Sequence, residues 1–262
     1  MMSFGKIRET VLVTGATSGI GKAVAGAALD AGLKVAIIGR RPAALEETIA
    51  ELGEGRAERI ASLVCDVSDE AAVEAAVAEA SERLGPPGGL VTSAAIDRGG
   101  LVHELKLDHF DEVLATNLRG TLLFCRACLP AMIEAGAGSI VCVSSPLGLV
   151  ATAGGSGAYS ASKAGINALV RSIALDYAGR GIRANALLPG PTETKLMWAN
   201  VPEAEIAETR ATISREVPLG RLAEPAEIGH AALWLLSDQA SYITGASIPC
   251  DGGVLAKASV TV

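Results

Sequence analysis

The stretch Val11–Val24, "VLVTGATSGIGKAV", runs from an apolar, β-branched segment through a turn with glycine at 15, 19 and 21 into an Ala-rich segment. A short apolar run closed by a glycine turn and followed by helical patterning reads as a strand entering a helix. The same grammar recurs on either side. Apolar runs lie at "TVLVTG" (10–15), "KVAIIG" (34–39), "ERIASLVCDV" (58–67), "GGLVTSAA" (88–95), "GSIVCVSS" (138–145), "IRANALLPG" (182–190) and "ASIPCDGG" (246–253). Amphipathic stretches of helical length, such as 42–52 and 69–84, separate the early runs. Parallel strands need crossover connections and, buried on both faces, appear as unbroken apolar runs. The expected fold class is therefore α/β, a doubly wound parallel sheet of about seven strands with helices on both faces.

Half of the 262 residues are hydrophobic, enough for one large core, and no repeat or low-complexity linker divides the chain. One domain over residues 1–262 is expected, and the segment 191–216, which departs from the alternation, reads as an inserted helical lid. A net charge of −7 without a Lys/Arg cluster argues against nucleic acid as a partner. The five cysteines (65, 125, 128, 142, 250) form no even framework and mostly fall in apolar runs, which predicts free thiols in a reducing cytoplasm. Cys125-x-x-Cys128 has no second Cys/His pair, and the histidines at 103, 109 and 230 are scattered, so no metal is expected. The chain start has no signal-peptide core, and no run of ~18 apolar residues follows, so a soluble protein without membrane contact is predicted.

Two further patterns carry chemistry. Gly15, Gly19 and Gly21 follow the first strand, where glycine permits a tight turn, close approach to a pyrophosphate and exposure of helix N-terminal amides to the anion. The spacing G-x-x-x-G-x-G differs from the common G-x-G-x-x-G. At the end of the second strand, Gly39-Arg40-Arg41 stands where a carboxylate would meet a ribose hydroxyl, and guanidinium there suits a 2′-phosphate. This points to NADP(H), with NAD(H) kept as the alternative. In "SGAYSASKAG" (156–165), Tyr159 and Lys163 stand one helical turn apart, within electrostatic reach.

Thr14-Gly15-x-x-x-Gly19-x-Gly21, Asp66, Asn117, Ser145, Tyr159-x-x-x-Lys163, Pro189-Gly190 with Thr194, and the ending "DQASYITGASIPCDGG" occur in this order along nearly the whole chain. The pattern resembles the short-chain dehydrogenase/reductase family, near its 3-oxoacyl carrier-protein reductase branch. The resemblance implies a Rossmann-type fold and an oxidoreductase that moves hydride between the nicotinamide cofactor and a carbonyl or secondary alcohol. It implies that Tyr159 is the general acid and base, that Lys163 holds the nicotinamide ribose and favours the phenolate, and that Ser145 donates to the substrate oxygen, with Ser144 as the competing residue. Asn117 would hold a water in a proton relay from Lys163. The cofactor would lie on Gly15, Thr17, Ser18, Gly19, Ile20 and Gly21. Arg40 and Arg41 would meet its phosphate, and Asp66 with the Val67 backbone its adenine. Ala94, Pro189, Gly190, Thr192 and Thr194 would contact the nicotinamide half. An ammonium beside the phenol, with the positive nicotinamide ring of the oxidised cofactor, would lower its pKa toward working pH.

One departure from the family is Thr92-Ser93-Ala94-Ala95 in place of Asn-Asn-Ala-Gly, which puts cofactor affinity and sheet stability in question. It also leaves a second functional reading, a nucleotide-binding regulator or scaffold with little turnover. Residues 97–104, 146–157 and the lid with Leu196, Met197 and Trp198 would wall an apolar cavity for a small ketone or secondary alcohol, with Arg98 and His103 available to a polar end. The helical stretches 108–134 and 158–178 carry more apolar and small residues than one core-facing stripe requires, which predicts a homotetramer or homodimer.

Overall fold

The computed structural model describes residue 7 and residues 9–257, so residues 1–6 and 8 of the amino-terminal stretch read for a targeting signal, and the last five positions of the expected domain, lie outside it. Seven strands form one sheet: β1 Thr10–Thr14, β2 Lys34–Gly39, β3 Ile60–Val64, β4 Gly89–Thr92, β5 Gly138–Val143, β6 Ile182–Pro189 and β7 Ser247–Cys250. Their order is β3-β2-β1-β4-β5-β6-β7, and every neighbouring pair is parallel. The order reverses between β1 and β4, and in open α/β sheets ligands bind outside the carboxyl ends of the strands at such a switch point. The expected fold class is the one found.

Among the described residues eight α-helices accompany the sheet: α1 Gly19–Asp30, α2 Pro42–Leu52, α3 Glu70–Leu84, α4 Leu107–Val113, α5 Gly120–Glu134, α6 Gly157–Tyr177, α7 Ile206–Glu216 and α8 Pro225–Leu236. Strand side chains alternate between two cores, as a period of two requires. Leu12, Ala36, Ile38, Ile140 and Cys142 face α3, α5 and α6, whereas Val11, Val13, Val35, Ile37, Val141 and Val143 face α1, α2 and α8.

Three differences from the reading of the sequence bear on the site. The run 88–95 is strand only to Thr92, because the Ser93 and Ala94 amides turn to the Thr14 hydroxyl instead of a strand neighbour, at 3.0 and 3.1 Å. The stretch 108–134 is not one regular helix, since Leu114–Arg119 between α4 and α5 is π-helical, a widening often found at functional sites. In the segment 191–216 only α7 and a short 3₁₀ turn are helical. Its base is closed by a bridge pairing Thr192 with Ala223.

Candidate active site

The glycine turn after β1 is shaped by close approach. Gly15 has φ +65°, and a Cβ there would come within 2.8 Å of the Ala94 backbone; one at Gly21 would come within 2.3 Å of the Gly15 carbonyl oxygen. Larger residues would push the turn off β4 and off its own helix. Ser18, the residue before α1, is extended and makes no side-chain cap, and no acidic residue occupies the first turn. The first amides of α1 are thus left to an anion, and the residues present fit a dinucleotide pyrophosphate. Thr17 packs against β2, its methyl 2.8 Å from where a Gly39 Cβ would be, and the Ile20 side chain is turned into the core.

At the ends of β2 and β3, Arg40 and Arg41 are exposed, and the Arg40 guanidinium lies 4.0 Å from the Asp66 carboxylate. Asp66 also accepts from the Ser68 amide (2.9 Å) and hydroxyl (2.7 Å), a turn-forming arrangement. Partial burial pushes its carboxyl up, but the two Ser68 bonds and the Arg40 charge together hold it below the usual value. Val67 is buried, with its carbonyl and side chain against Gly120 at the start of α5.

Tyr159 and Lys163 lie on the first turns of α6. The Lys163 ammonium is 5.3 Å from the Tyr159 ring centre and donates to the Val143 carbonyl at the end of β5, 2.8 Å away. Ser145, just beyond β5, is near enough to the phenol to oppose the rise of its pKa, and its hydroxyl accepts from the Leu147 amide at 3.2 Å. Ser144 is turned the other way, its hydroxyl donating to the Lys163 carbonyl at 3.1 Å, so the strand end presents Ser145 and not Ser144 to Tyr159. Asn117, wholly buried in the π-helical turn, clasps Ile96: its Oδ1 accepts from the Ile96 amide and its Nδ2 donates to the Ile96 carbonyl, both at 2.9 Å. Nδ2 also lies 3.1 Å from the Ser162 hydroxyl on α6.

Burial dominates the ionisation of both groups. It pushes Tyr159 up to about 12, the nearby Asp97 charge adds to that, and the Ser145 hydroxyl only partly opposes it. Burial also pushes Lys163 down to about 8. Desolvation penalises both charged forms and here outweighs the attraction between them.

Around the nicotinamide end of the expected site, Gly190 packs on Asp251, with 2.6 Å from its Cβ position to the Asp251 Cα. Thr192 is buried, and its hydroxyl donates to the Gly190 carbonyl. Thr194 caps its own loop by accepting from the Met197 amide, and its methyl is 3.0 Å from the Gly19 Cβ position, against the glycine turn. A groove of about 760 Å³ is lined by Thr17, Ser18 and Gly19 together with Glu193, Thr194 and Trp198, and it includes none of Asn117, Ser145, Tyr159 or Lys163.

The departure at Thr92–Ala95 leaves the sheet intact. β4 stays in register with β1 and β5 to Thr92, and Thr14 takes the next two amides. The Thr92 hydroxyl lies 3.4 Å from that of Thr121, which donates to the Asn117 carbonyl. Sequence reasoning missed Thr14 and Ser162 as anchors because a hydroxyl gives no sign of a partner 79 or 45 residues away. The polar residues expected at the pocket wall are engaged elsewhere: Arg98 forms a two-pronged ion pair with Glu112 at 3.0 and 3.1 Å, and His103 is exposed beside Glu104.

Comparison with known proteins agrees with this geometry. A family profile described as enoyl-(acyl carrier protein) reductase matches residues 15–255. An uncharacterised oxidoreductase, YxbG, of Bacillus subtilis is 40% identical over 95% of this chain and 91% of its own length. Galactitol 2-dehydrogenase (L-tagatose-forming) of Cereibacter sphaeroides is 41% identical over 92% of both chains. The crystal structure of a variant of actinorhodin polyketide ketoreductase with NADPH superposes with a TM-score of 0.88 at 33% identity, covering 94% of this chain and 97% of that one. With a switch-point glycine turn, a Tyr–Lys pair at the end of β5 and relatives spanning nearly its full length, the chain belongs to the short-chain dehydrogenase/reductase family, enzymes dependent on NAD(P) that act on alcohol and carbonyl groups.

Proposed function

We propose that this chain reduces a small ketone with NADPH, and oxidises the corresponding secondary alcohol with NADP⁺, using Tyr159 as the general acid and base. The observation that carries the reading is the convergence of Tyr159, Ser145 and the buried Lys163 at the carboxyl end of β5. When bound, the nicotinamide cofactor supplies or accepts hydride at the substrate carbon. The side chains handle the oxygen. Ser145 donates a hydrogen bond as negative charge grows there, and Tyr159 delivers the proton. A phenol pushed up by burial carries its proton at neutral pH, the form in which ketone reduction begins. Lys163 re-supplies positive charge next to the phenolate left behind, and its lowered pKa lets it pass a proton on. Asn117 contributes by holding Ile96 and α6 in place; a water relay from Lys163 would start at its π-helical turn.

Preference for NADP(H) over NAD(H) rests on Arg40 and Arg41 at the end of β2. The segment 191–216 acts as a lid hinged at the Thr192–Ala223 bridge and stiffened by Arg210, which pairs with Glu193 and stacks 5.2 Å over Trp198. Exposed Leu122 on α5 and Leu175 on α6 support self-association as a homotetramer or homodimer, to be read by sedimentation. Five free cysteines support a cytoplasmic location.

The test is NADPH oxidation over a panel of ketones, aldehydes and diketones by wild type and Tyr159→Phe. The variant keeps the ring and loses only the transferable proton, so turnover should fall by roughly 10²- to 10⁴-fold while cofactor still binds. Near-normal turnover by the variant would refute the assignment.

A further inference from the structure

One carboxylate ties the segment 191–216 together and has no part in the chemistry described above. Glu193 accepts from two guanidinium nitrogens of Arg210, Nε at 2.6 Å and Nη2 at 3.2 Å, and from the Trp198 indole at 3.1 Å. Arg210, on α7, also stacks over the Trp198 ring. Three parts of the segment thus meet on a single side chain: its base, the turns around Trp198, and α7. The base is anchored in turn, since the Glu193 amide donates to the Ala223 carbonyl at 2.9 Å and the Ala223 amide donates to the Pro191 carbonyl at 2.8 Å.

The next residue along, Thr194, rests with its methyl 3.0 Å from the Gly19 Cβ position, against the glycine turn. The groove of about 760 Å³ is lined both by that turn and by Glu193, Trp198 and Arg210, so the two ends of this chain of contacts open on one surface. The catalytic side chains lie outside it. Glu193 and Arg210 keep some access to water, 26% and 47% exposed, so their pairing is modest in strength and reversible. Holding a contact residue in place before a ligand arrives lowers the ordering cost of binding.

We propose that Arg210 is a positioning residue for the dinucleotide: its hold on Glu193 and Trp198 keeps Thr194 against the glycine turn, so that cofactor affinity depends on this cluster and proton transfer does not. This rests on the functional reading above, in which Thr194 meets the nicotinamide half, and adds the residues that place it. A direct charge contact between Arg210 and a cofactor phosphate makes the opposite prediction for Glu193. Removing that carboxylate would then release Arg210 and take away a repulsive charge, which tightens binding. Where the carboxylate is the tie, its removal weakens binding.

The experiment titrates NADPH by calorimetry into wild type, Arg210→Met, Arg210→Lys, Glu193→Ala and the double variant Arg210→Met/Glu193→Ala. It also measures kcat at saturating NADPH on a ketone of the panel that wild type turns over. Arg210→Met keeps the length of the stem and loses the fork, so NADPH should bind roughly threefold to tenfold more weakly, the effect of a two-pronged surface pair with one stacked cation. Arg210→Lys, which keeps the charge but not the fork, should fall between. Glu193→Ala should weaken binding to a similar degree, and the double variant should be little worse than either single one. The value of kcat at saturation should be unchanged throughout. Melting temperatures check folding, and Arg210→Lys carries the test if Arg210→Met does not fold. Unchanged affinity in the folded Arg210 variants, tighter binding by Glu193→Ala, additive losses in the double variant, or a fall in kcat at saturation overturns the role of Arg210. No binding of NADPH by wild type, or turnover of no ketone in the panel, overturns the functional reading on which it rests.

Discussion

Replacing Asn117 with Leu tests whether the clasp on Ile96 holds the site together. Leu nearly matches Asn in volume, so the substitution removes hydrogen bonds without opening a cavity. Asn117 is wholly buried, and its loss strips partners from the Ile96 amide and carbonyl. Ser162 loses less, since its hydroxyl keeps its bond to the Tyr159 carbonyl at 2.7 Å. Each of the two backbone groups left unpaired costs up to about 1–3 kcal/mol, which gives at most about 2–6 kcal/mol in all. For a chain of this size that lowers the melting temperature by roughly 4–24 °C. The assay is thermal and urea unfolding at one fixed protein concentration, where the midpoint should drop while the denaturant slope is kept. Asn117→Asp sharpens the test. It retains an acceptor for the Ile96 amide but turns an oxygen toward the Ile96 carbonyl and buries a charge, so its loss should equal or exceed that of Leu. A loss below about 0.5 kcal/mol in both variants, within the range of ordinary surface substitutions, would refute the clasp.

Lys163 ionises in the folded protein near 8, below its usual 10.5, so between these values the unfolded chain binds more protons and stability rises with pH. The rise should be absent in Lys163→Met, seen as a narrowing gap between the two unfolding free energies plotted from pH 7 to about 10; parallel curves would contradict the burial of the ammonium. Ser145→Ala should lower kcat roughly hundredfold to thousandfold, whereas Ser144→Ala, whose hydroxyl faces the Lys163 carbonyl, should not; the reverse ranking would transfer the role. Arg40→Ala should weaken NADPH binding by roughly tenfold to a hundredfold and leave NADH nearly unaffected, as measured by calorimetric titration. An equal loss for both cofactors would remove the phosphate contact.

The sequence by itself determined the layered architecture and most of its element positions. Those depend on local pattern: runs such as "KVAIIG" coincide with β2 because a strand buried on both faces has no polar positions to interrupt it, and the glycine turn after β1 is needed wherever backbone meets backbone. Tyr159 and Lys163 were also legible, since four residues make one turn of a helix. Their ionisation was not legible. The pairing points to a phenol lowered by the ammonium and the oxidised nicotinamide together, whereas the depth of burial that pushes the phenol up and the ammonium down is visible only in the tertiary structure. The end of the strand run favours Ser145 over Ser144, while the turn of the Ser144 hydroxyl toward the Lys163 carbonyl is visible only in the tertiary structure. The tertiary structure alone revealed the π-helical turn around Asn117, the clasp on Ile96 and the Thr14 tie to β4. Each depends on groups brought together from distant parts of the chain, and a hydrogen bond between such groups leaves no periodic trace along it.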